Sequence, residues 1–279
     1  MTADPSIRFI RVGPIKTRFR ALGDSGTPVV LLHGLGDSAE IWKQNFEALA
    51  AAHRVFAPDL PGFGYTDKPD IEYTPEVFRR FIGEFLSALD IGRCHLVGHS
   101  LGGGLALQYT LTHPDQVEKL VLVSSAGLGP ETTWPLRLST LPFLGPWVLH
   151  PARRVLPVFF RRLVYDPAVI TDDFVELRYG LLLPRENRRA LLKILRSLLT
   201  LRGVRPAVLN PLLENLGSVR APTLIVWGTH DRILPLRHAH RAKAGIPDAV
   251  LHVFDKCGHM PNYEYPEKFN GLVTTFLRG

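Results

Sequence analysis

The 279-residue sequence contains few cysteines, and the two that it has are far apart. Cys94 and Cys257 form no CxxC pair, which excludes a disulfide scaffold and a structural zinc site, so both are expected to be reduced thiols. The N-terminal residues show no apolar segment behind a basic start, and no uncharged apolar run approaches the ~18 residues of a transmembrane helix. We therefore expect no signal peptide, no metal site and a cytoplasmic location.

The chain also lacks internal repeats and low-complexity tracts. Hydrophobic residues make up 46% and charged residues 21% of it, which is the composition of a globular protein. Disordered, collagen-like and coiled-coil structures are excluded by the same numbers.

Acidic residues are clearly outnumbered by basic ones in only one part of the chain, residues 137–205. The net charge is +7, and residues 137–205 hold 13 basic against 5 acidic side chains, so the rest of the sequence is close to neutral. A basic balance raises nucleic acid or an anionic membrane as partners. Here the excess of basic residues lies in a single segment, residues 137–205.

Predicted strands and helices alternate through both ends of the chain. Thr74 and Pro75 are typical of the start of a helix, which is predicted for 74–89, and further helices are predicted for 38–52, 235–244 and 263–277. The strand-like segments are IRFIRV, KTRFRAL, VVLL, RVFAPDL, CHLVG, VEKLVLVSS, TLIVWG and AVLHVF. This alternation predicts an α/β fold with a mostly parallel sheet and helices on both faces.

The alternation stops at about Gly127 and resumes after Pro222. Residues 128–218, called the helical insertion below, are rich in Leu, Arg and Pro and contain helix-like stretches but no convincing strand. We predict a core formed by 1–127 and 219–279 that this insertion interrupts.

The strongest chemical signal is Gly98-His99-Ser100-Leu101-Gly102, between an apolar strand and a helix. A serine on such a tight turn has a strained backbone and an exposed Oγ, as in a nucleophile elbow. The alternative is that Ser100 only caps the helix.

A serine nucleophile needs a base and an acid that orients the base. Asp231 follows the strand TLIVW and His259 follows the strand AVLHVF, so both are expected at the carboxyl edge of the sheet together with Ser100. Asp255 is interpreted as a loop residue. The other histidines that we weighed are interpreted as turn, surface or packing residues: His33, His99, His230, His238, His240 and His252.

The turn His33-Gly34-Leu35-Gly36 leaves the strand VVLL. Its glycine allows the backbone to approach a substrate, so the N–H groups of Leu35 and Leu101 are predicted to form an oxyanion hole. The alternative is a tight turn without a catalytic role.

With these motifs the chain resembles the α/β-hydrolase superfamily, in particular its small serine hydrolases that carry a helical cap: carboxylesterases, lipases and carbon–carbon bond hydrolases of aromatic degradation. HGLGDSAEIW, APDLPGFGYTDKP, LVGHSLGGGLAL, LIVWGTHD and CGHMPNYEYPEKF resemble family blocks in family order. The resemblance implies a three-layer fold, the triad Ser100, Asp231 and His259, and no cofactor. Some members place the acid after the preceding strand, where this chain has no carboxylate.

The resemblance also bears on the reaction. Dehalogenases and epoxide hydrolases use an aspartate at the elbow, which Ser100 excludes. The carbon–carbon bond hydrolases tend to have asparagine before the serine and tryptophan after the catalytic histidine, where this chain has His99 and Met260. We therefore predict a carboxylic ester hydrolase for hydrophobic acyl esters, with carbon–carbon bond hydrolysis, acyl transfer and a hydrolase-fold ligand receptor as alternatives.

The helical insertion is expected to be the cap over the site. Its apolar residues either line an acyl pocket or form the cap's own core, and the candidates for the pocket are Trp134, Leu138, Phe143, Trp147 and Phe159. Its basic residues include Arg185, Arg188, Arg189, Lys193, Arg196 and Arg202. They form a solvated helix face or a surface for anionic lipid; nucleic acid is not expected, and the protein is predicted to be a monomer or weak dimer.

Overall fold

The computed structural model describes residues 4–279 and has a central sheet of eight strands. These strands are β1 (Ile7–Val12), β2 (Ile15–Leu22), β3 (Pro28–Leu32), β4 (Arg54–Pro58), β5 (Cys94–His99), β6 (Val117–Val123), β9 (Thr223–Gly228) and β10 (Val250–Phe254), and a separate hairpin is formed by β7 (Leu199–Thr200) and β8 (Gly203–Val204). The order in the sheet is β1-β2-β4-β3-β5-β6-β9-β10. The predicted strands are all present.

The sheet is parallel except at one edge. β2 is antiparallel to both β1 and β4, and the remaining neighbours are parallel. Every residue of β3, β5 and β9 is buried, which explains why these segments are continuous apolar runs without alternation. Because the parallel strands run in one direction, the loops after β3, β5, β9 and β10 meet at the same edge.

Helices cover both faces of the sheet. They are α1 (Phe46–Ala50), α2 (Pro75–Ala88), α3 (Leu101–Thr112), α10 (Arg237–Gly245), α11 (Pro261–Glu264) and α12 (Pro266–Arg278). Two hydrophobic clusters result, one on each face, with Phe78 and Phe85 in the first and Trp42 and Phe269 in the second. The fold is the predicted three-layer α/β architecture.

The structure corrects two predicted helices. The segment predicted as one helix over 38–52 is a short 3-10 turn, Ala39–Trp42, followed by α1. The helix predicted over 263–277 is divided into α11 and α12, because Pro266 has no N–H to donate and begins a new helix.

The helical insertion contains no strand of the central sheet. Its helices are α4 (Trp134–Leu138), α5 (Gly145–Val148), α6 (Leu156–Arg161), α7 (Asp172–Leu182), α8 (Arg185–Leu198) and α9 (Pro206–Glu214). The small hairpin of β7 and β8 was not predicted, since two-residue strands leave no periodic pattern. None of the helices among residues 4–279 is long and apolar enough to cross a membrane.

Candidate active site

Ser100 lies on a sharp turn between β5 and α3. Its φ of 54° and ψ of −116° fall outside the regions that a serine ordinarily occupies. The turn is kept in place by backbone hydrogen bonds on both sides: the Ser100 N–H donates to Val123 O (2.9 Å), and the Ala126 N–H donates to Ser100 O (2.8 Å). The neighbouring strand β6 therefore maintains the strained conformation that points Oγ away from the sheet.

The structure brings the three residues of the predicted triad together. His259 Nε2 lies 3.0 Å from Ser100 Oγ, and His259 Nδ1 lies 2.8 Å from Asp231 Oδ2. Both distances are those of hydrogen bonds in a relay from hydroxyl to imidazole to carboxylate. This is the geometry in which the imidazole is able to take the serine proton.

Asp231 is held by the loop that follows β9. Its other oxygen, Oδ1, accepts hydrogen bonds from the N–H groups of Ile233 (2.8 Å) and Leu234 (3.0 Å). The Asp231 side chain is fully buried, so the two backbone donors and His259 replace the water that a carboxylate requires. The arrangement fixes Oδ2 toward the imidazole.

The turn after β3 lies against the nucleophile. A Cβ on Gly34 would be 3.2 Å from Ser100 Cβ, so only glycine allows this approach without displacement. The His33 ring fixes the turn, since its Nε2 accepts from the Leu60 N–H (2.9 Å) and its Nδ1–H donates to Gly34 O (2.8 Å). Its role is that of a turn residue.

The N–H groups predicted to form the oxyanion hole belong to Leu35 and Leu101, close to Ser100. All three residues line one cavity, and in residues 4–279 no acceptor is paired with either N–H. Leu101 is the first residue of α3, where the N–H has no partner within the helix. The two donors are thus available to a ligand at Ser100.

The cavity above Ser100 is almost entirely aliphatic. Its walls come from the core and from the helical insertion, where Leu136, Leu195, Leu198, Val204 and Val208 contribute. The polar side chains among the lining residues are Ser100, Gln108 and Thr132. No lysine, arginine or histidine lines the cavity, so a buried anion there would have no cation to pair with.

A model of the alpha/beta hydrolase fold matches residues 27–266 of the sequence. The chain belongs to the alpha/beta hydrolase family.

Relatives with a named activity extend this comparison. The chain is 34% identical to the 2-hydroxy-6-oxononadienedioate/2-hydroxy-6-oxononatrienedioate hydrolase of Cupriavidus pinatubonensis, over 97% of this chain and 94% of the relative. It is 32% identical to the 2-hydroxy-6-oxo-6-phenylhexa-2,4-dienoate hydrolase of Burkholderia cepacia, over 90% and 88%. A solved meta-cleavage product hydrolase from Pseudomonas fluorescens is 28% identical and superimposes with a TM-score of 0.84, covering 99% of each chain.

These relatives show that the prediction of a carboxylic ester hydrolase was wrong. The compounds in their names carry ketone, enol and carboxylate groups and contain no ester. The ester prediction depended on His99 and Met260, so these two residues do not identify the reaction.

His99 and Met260 lie beside His259 in the structure. His99 donates from Nε2 to His259 O (2.9 Å), and neither residue is among those that line the cavity. Burial, together with the neighbouring His259, lowers the pKa of His99 to about 3, so its ring is neutral. Met260 is 2% exposed and packs in the hydrophobic cluster. Both residues are thus buried close to His259.

None of the five residues predicted to line the pocket does so. Trp134, Phe143 and Trp147 are exposed by 64%, 90% and 80%, and Leu138 and Phe159 are half-buried elsewhere in the insertion. The helices of the insertion turn smaller aliphatic residues toward Ser100 instead. Large aromatic residues in a helical segment cannot be assigned to a wall without knowing how the helices pack.

Sequence reasoning also missed the contacts that hold the His259 loop. The His259 N–H donates to Leu163 O of the insertion (2.6 Å), and the carboxylate of Glu264 accepts from the N–H groups of Gly258 (2.8 Å) and Tyr165 (2.7 Å). Burial raises the pKa of Glu264 above its ordinary value, although these backbone donors oppose the shift. Glu264 thus joins the histidine loop to the insertion.

Replacing Glu264 with alanine is expected to lower kcat by about 100-fold, because a catalytic group displaced by about 1 Å loses about that much rate. KM is expected to change little, since Glu264 does not line the cavity. Steady-state kinetics measure both. Glu264→Gln keeps an oxygen that accepts N–H bonds and is expected to recover part of the rate. Glu267→Ala, an exposed carboxylate in α12, is the matched control, and an equal loss there would contradict the positioning role.

A second contact between insertion and core is an ion pair that the motifs did not reveal. Arg178 of α7 donates from Nη2 to both oxygens of Asp37, at 3.0 and 2.8 Å, and both side chains are largely buried. Asp37 follows the Leu35 turn directly. The pair therefore fastens α7 beside the oxyanion turn.

No group of three His, Cys, Asp or Glu side chains among residues 4–279 is arranged to hold a metal ion. Cys94 and Cys257 are both buried and unpaired with each other. Burial raises the pKa of each thiol, so neither is a thiolate nucleophile near neutral pH.

Proposed function

We propose that the protein hydrolyses a carbon–carbon bond in a 2-hydroxy-6-oxo-dienoate, the product of aromatic ring cleavage, with an apolar substituent at C6. The observation that carries the proposal is the identity of 32–34%, over at least 90% of the chain, to hydrolases named for such compounds. The serine relay and the unpaired N–H groups at its cavity supply the groups that attack on a ketone requires.

In the first step Ser100 adds to the C6 ketone. His259 takes the Oγ proton, Oγ forms a bond to C6, and the electron pair of the C=O moves to oxygen. The N–H groups of Leu35 and Leu101 stabilise that oxyanion; one such donor contributes about 3 kcal/mol in a protease example. Asp231 keeps the imidazole oriented and stabilises its positive charge.

In the second step the C5–C6 bond breaks. The substrate reacts as its 2-keto tautomer, so the electron pair released at C5 is conjugated through the C3–C4 double bond with the C2 carbonyl and is protonated by the imidazolium of His259. The acyl group stays on Ser100. A water molecule deprotonated by His259 then releases it as a carboxylic acid, so that one water is consumed and two acids leave.

The aliphatic cavity is the proposed site of the C6 substituent. A second carboxylate at that end of the substrate would be buried among leucine and valine side chains without a cation. This favours a phenyl or alkyl substituent over the dioate named for the Cupriavidus relative.

We further propose that the helical insertion, residues 128–218, is the cap of this site. It supplies the cavity wall through α8 and the β7–β8 hairpin, and it is fastened to the core by the Arg178–Asp37 pair and by Glu264. Its removal of water from the site would strengthen the electrostatic contacts to the oxyanion.

The test is a comparison of three compounds with purified protein: a C6-phenyl 2-hydroxy-6-oxo-dienoate, the corresponding dioate, and nitrophenyl butyrate. Loss of the dienolate absorbance and chromatography of the acid products measure turnover. We expect kcat/KM for the phenyl compound to exceed that for the dioate by about 100-fold, because the latter buries an unpaired charge. Turnover of the ester without turnover of either dienoate would contradict the proposal.

A variant of the cavity wall tests the preference for an apolar C6 substituent independently of the reaction at Ser100. Leu198→Lys places a cation in the cavity wall and is expected to raise the dioate rate relative to the phenyl rate. Leu201→Lys, an exposed leucine of the same insertion outside the cavity, is the matched control. An unchanged ratio in Leu198→Lys would show that the substituent does not occupy this cavity.

A further inference from the structure

Two aromatic side chains stand in solvent on the outer side of the insertion. Phe143 is 90% exposed and Trp147, on α5, is 80% exposed, and Leu144 between them is also exposed. A soluble surface rarely leaves neighbouring large apolar side chains so open unless they contact another surface. Aromatic residues in this situation are typical of the boundary between water and lipid.

A groove lined by cations runs beside these aromatic residues. It lies between α5 and α8, with Pro146 and Leu149 on one side. The cations along the other side are Arg185, Arg188, Arg189, Lys193 and Arg196. Phe143, Trp147 and this groove are called the basic-aromatic face.

The aromatic and the basic parts of this face are fixed to each other. Arg196 donates to the carbonyls of Leu141 (3.3 Å) and Pro142 (3.2 Å), directly before Phe143. Gly145 packs so closely on α8 that a Cβ there would be 2.9 Å from Leu192 Cδ2. The exposed rings and the cations therefore form one surface.

Carboxylates pair with two of the five cations of the groove. Asp70 contacts Arg189 (3.1 Å) and Lys193 (2.7 Å), and Glu72 lies 4.0 Å from Lys193. Arg185 is exposed and has no carboxylate within 4.0 Å in residues 4–279. A two-fold contact between copies of the chain through this face would bring like charges together, which argues against a second copy as the occupant.

We propose that the basic-aromatic face docks on the surface of an anionic lipid bilayer. The cations of the groove lie against the lipid phosphates while the rings of Phe143 and Trp147 enter the headgroup region. The opposite face of α8 lines the catalytic cavity through Leu195 and Leu198, so docking places that cavity one helix away from the lipid. The surface itself does not depend on which reaction occurs at Ser100.

Vesicle sedimentation tests this surface with the full-length protein. Vesicles of phosphatidylcholine alone are compared with vesicles containing about one third phosphatidylglycerol, at low and high salt. We expect binding to the anionic vesicles only, and weaker binding at high salt because the Debye length falls to about 3 Å at 1 M. Arg185→Gln with Arg189→Gln is expected to weaken binding by about 30-fold, roughly a factor of five for each charge near the surface.

Two further variants keep the test decisive. Arg93→Gln with Arg220→Gln removes two exposed cations outside the insertion, one of which also pairs with a carboxylate, and is expected to leave binding unchanged. Phe143→Ser with Trp147→Ser is expected to abolish retention on the anionic vesicles while hydrolysis of a water-soluble substrate is unchanged.

Four results would overturn the proposal: no binding to anionic vesicles, equal losses in the two arginine pairs, tighter binding to duplex DNA than to the vesicles, or self-association in ultracentrifugation that the aromatic variant abolishes.

Discussion

Ser100→Ala is expected to lower kcat by about 10⁶-fold while the protein keeps its fold. The substitution removes the oxygen that lies 3.0 Å from His259 Nε2 and leaves the backbone bonds to Val123 and Ala126 in place. Alanine meets the same positive φ as serine, so the strain of the turn changes little. Single-turnover kinetics on a dienoate and thermal unfolding measure the two quantities separately.

Ser124 provides the matched control for this experiment. It follows the neighbouring strand β6, it also has a positive φ, and its Oγ is buried without a hydrogen-bond partner. Ser124→Ala is therefore expected to leave kcat within about twofold of the parent. A Ser100→Ala protein that retains full activity would show that another group attacks the substrate and would remove the basis of the proposed reaction.

The second large effect is expected on stability, from Gly98→Ala. A Cβ on Gly98 would lie 2.3 Å from Gly102 O and 2.6 Å from Gly103 Cα, and the surrounding atoms are backbone that cannot rotate away. We expect the free energy of unfolding to fall by about 3 kcal/mol or more, which is the upper part of the range for overpacking a core. Denaturant unfolding monitored by circular dichroism measures it.

Gly271→Ala is the control for Gly98→Ala. Gly271 lies in α12, and a Cβ there meets nothing within 4 Å. Because alanine is a better helix former than glycine, this change is expected to raise the free energy of unfolding by roughly 0.5 to 1 kcal/mol. Equal and small effects at both positions would mean that the turn before Ser100 relaxes easily and is not strained.

The sequence was most informative where backbone geometry restricts the residue type. Ser100 and Asp231 follow buried strands, His259 follows the edge strand β10, and parallel strands bring their carboxyl ends to one edge. The three residues could therefore be placed together from the chain order. In the structure Ser100 Oγ lies 3.0 Å from His259 Nε2, and His259 Nδ1 lies 2.8 Å from Asp231 Oδ2.

The sequence was least informative about the insertion. Trp134, Phe143 and Trp147 are among its largest apolar residues, yet they are exposed, and leucine and valine side chains line the cavity. In a helical segment of amphipathic stretches, apolar residues face either the cavity, the insertion's own core or solvent, and helical periodicity does not distinguish these directions. The packing of α8 and the small hairpin on the core decides which residues reach Ser100.

The same limit explains the error about the reaction. His99 and Met260 flank predicted triad residues in sequence, but both are buried, His99 against the rings of Trp42 and His259 and Met260 in the hydrophobic cluster. A position next to a nucleophile in sequence therefore does not by itself identify the reaction.

By itself, the sequence determined the layered α/β fold, the place of the helical insertion and the positions of Ser100, Asp231 and His259 at one edge of the sheet, because glycine turns and buried strands leave few alternatives in local geometry. Only the tertiary structure decided which insertion residues enclose the site, how Glu264 and Arg178 fasten the insertion beside His259 and the oxyanion turn, and which aromatic residues remain in solvent. These features depend on contacts between segments that are far apart in the chain, and no local pattern encodes such contacts.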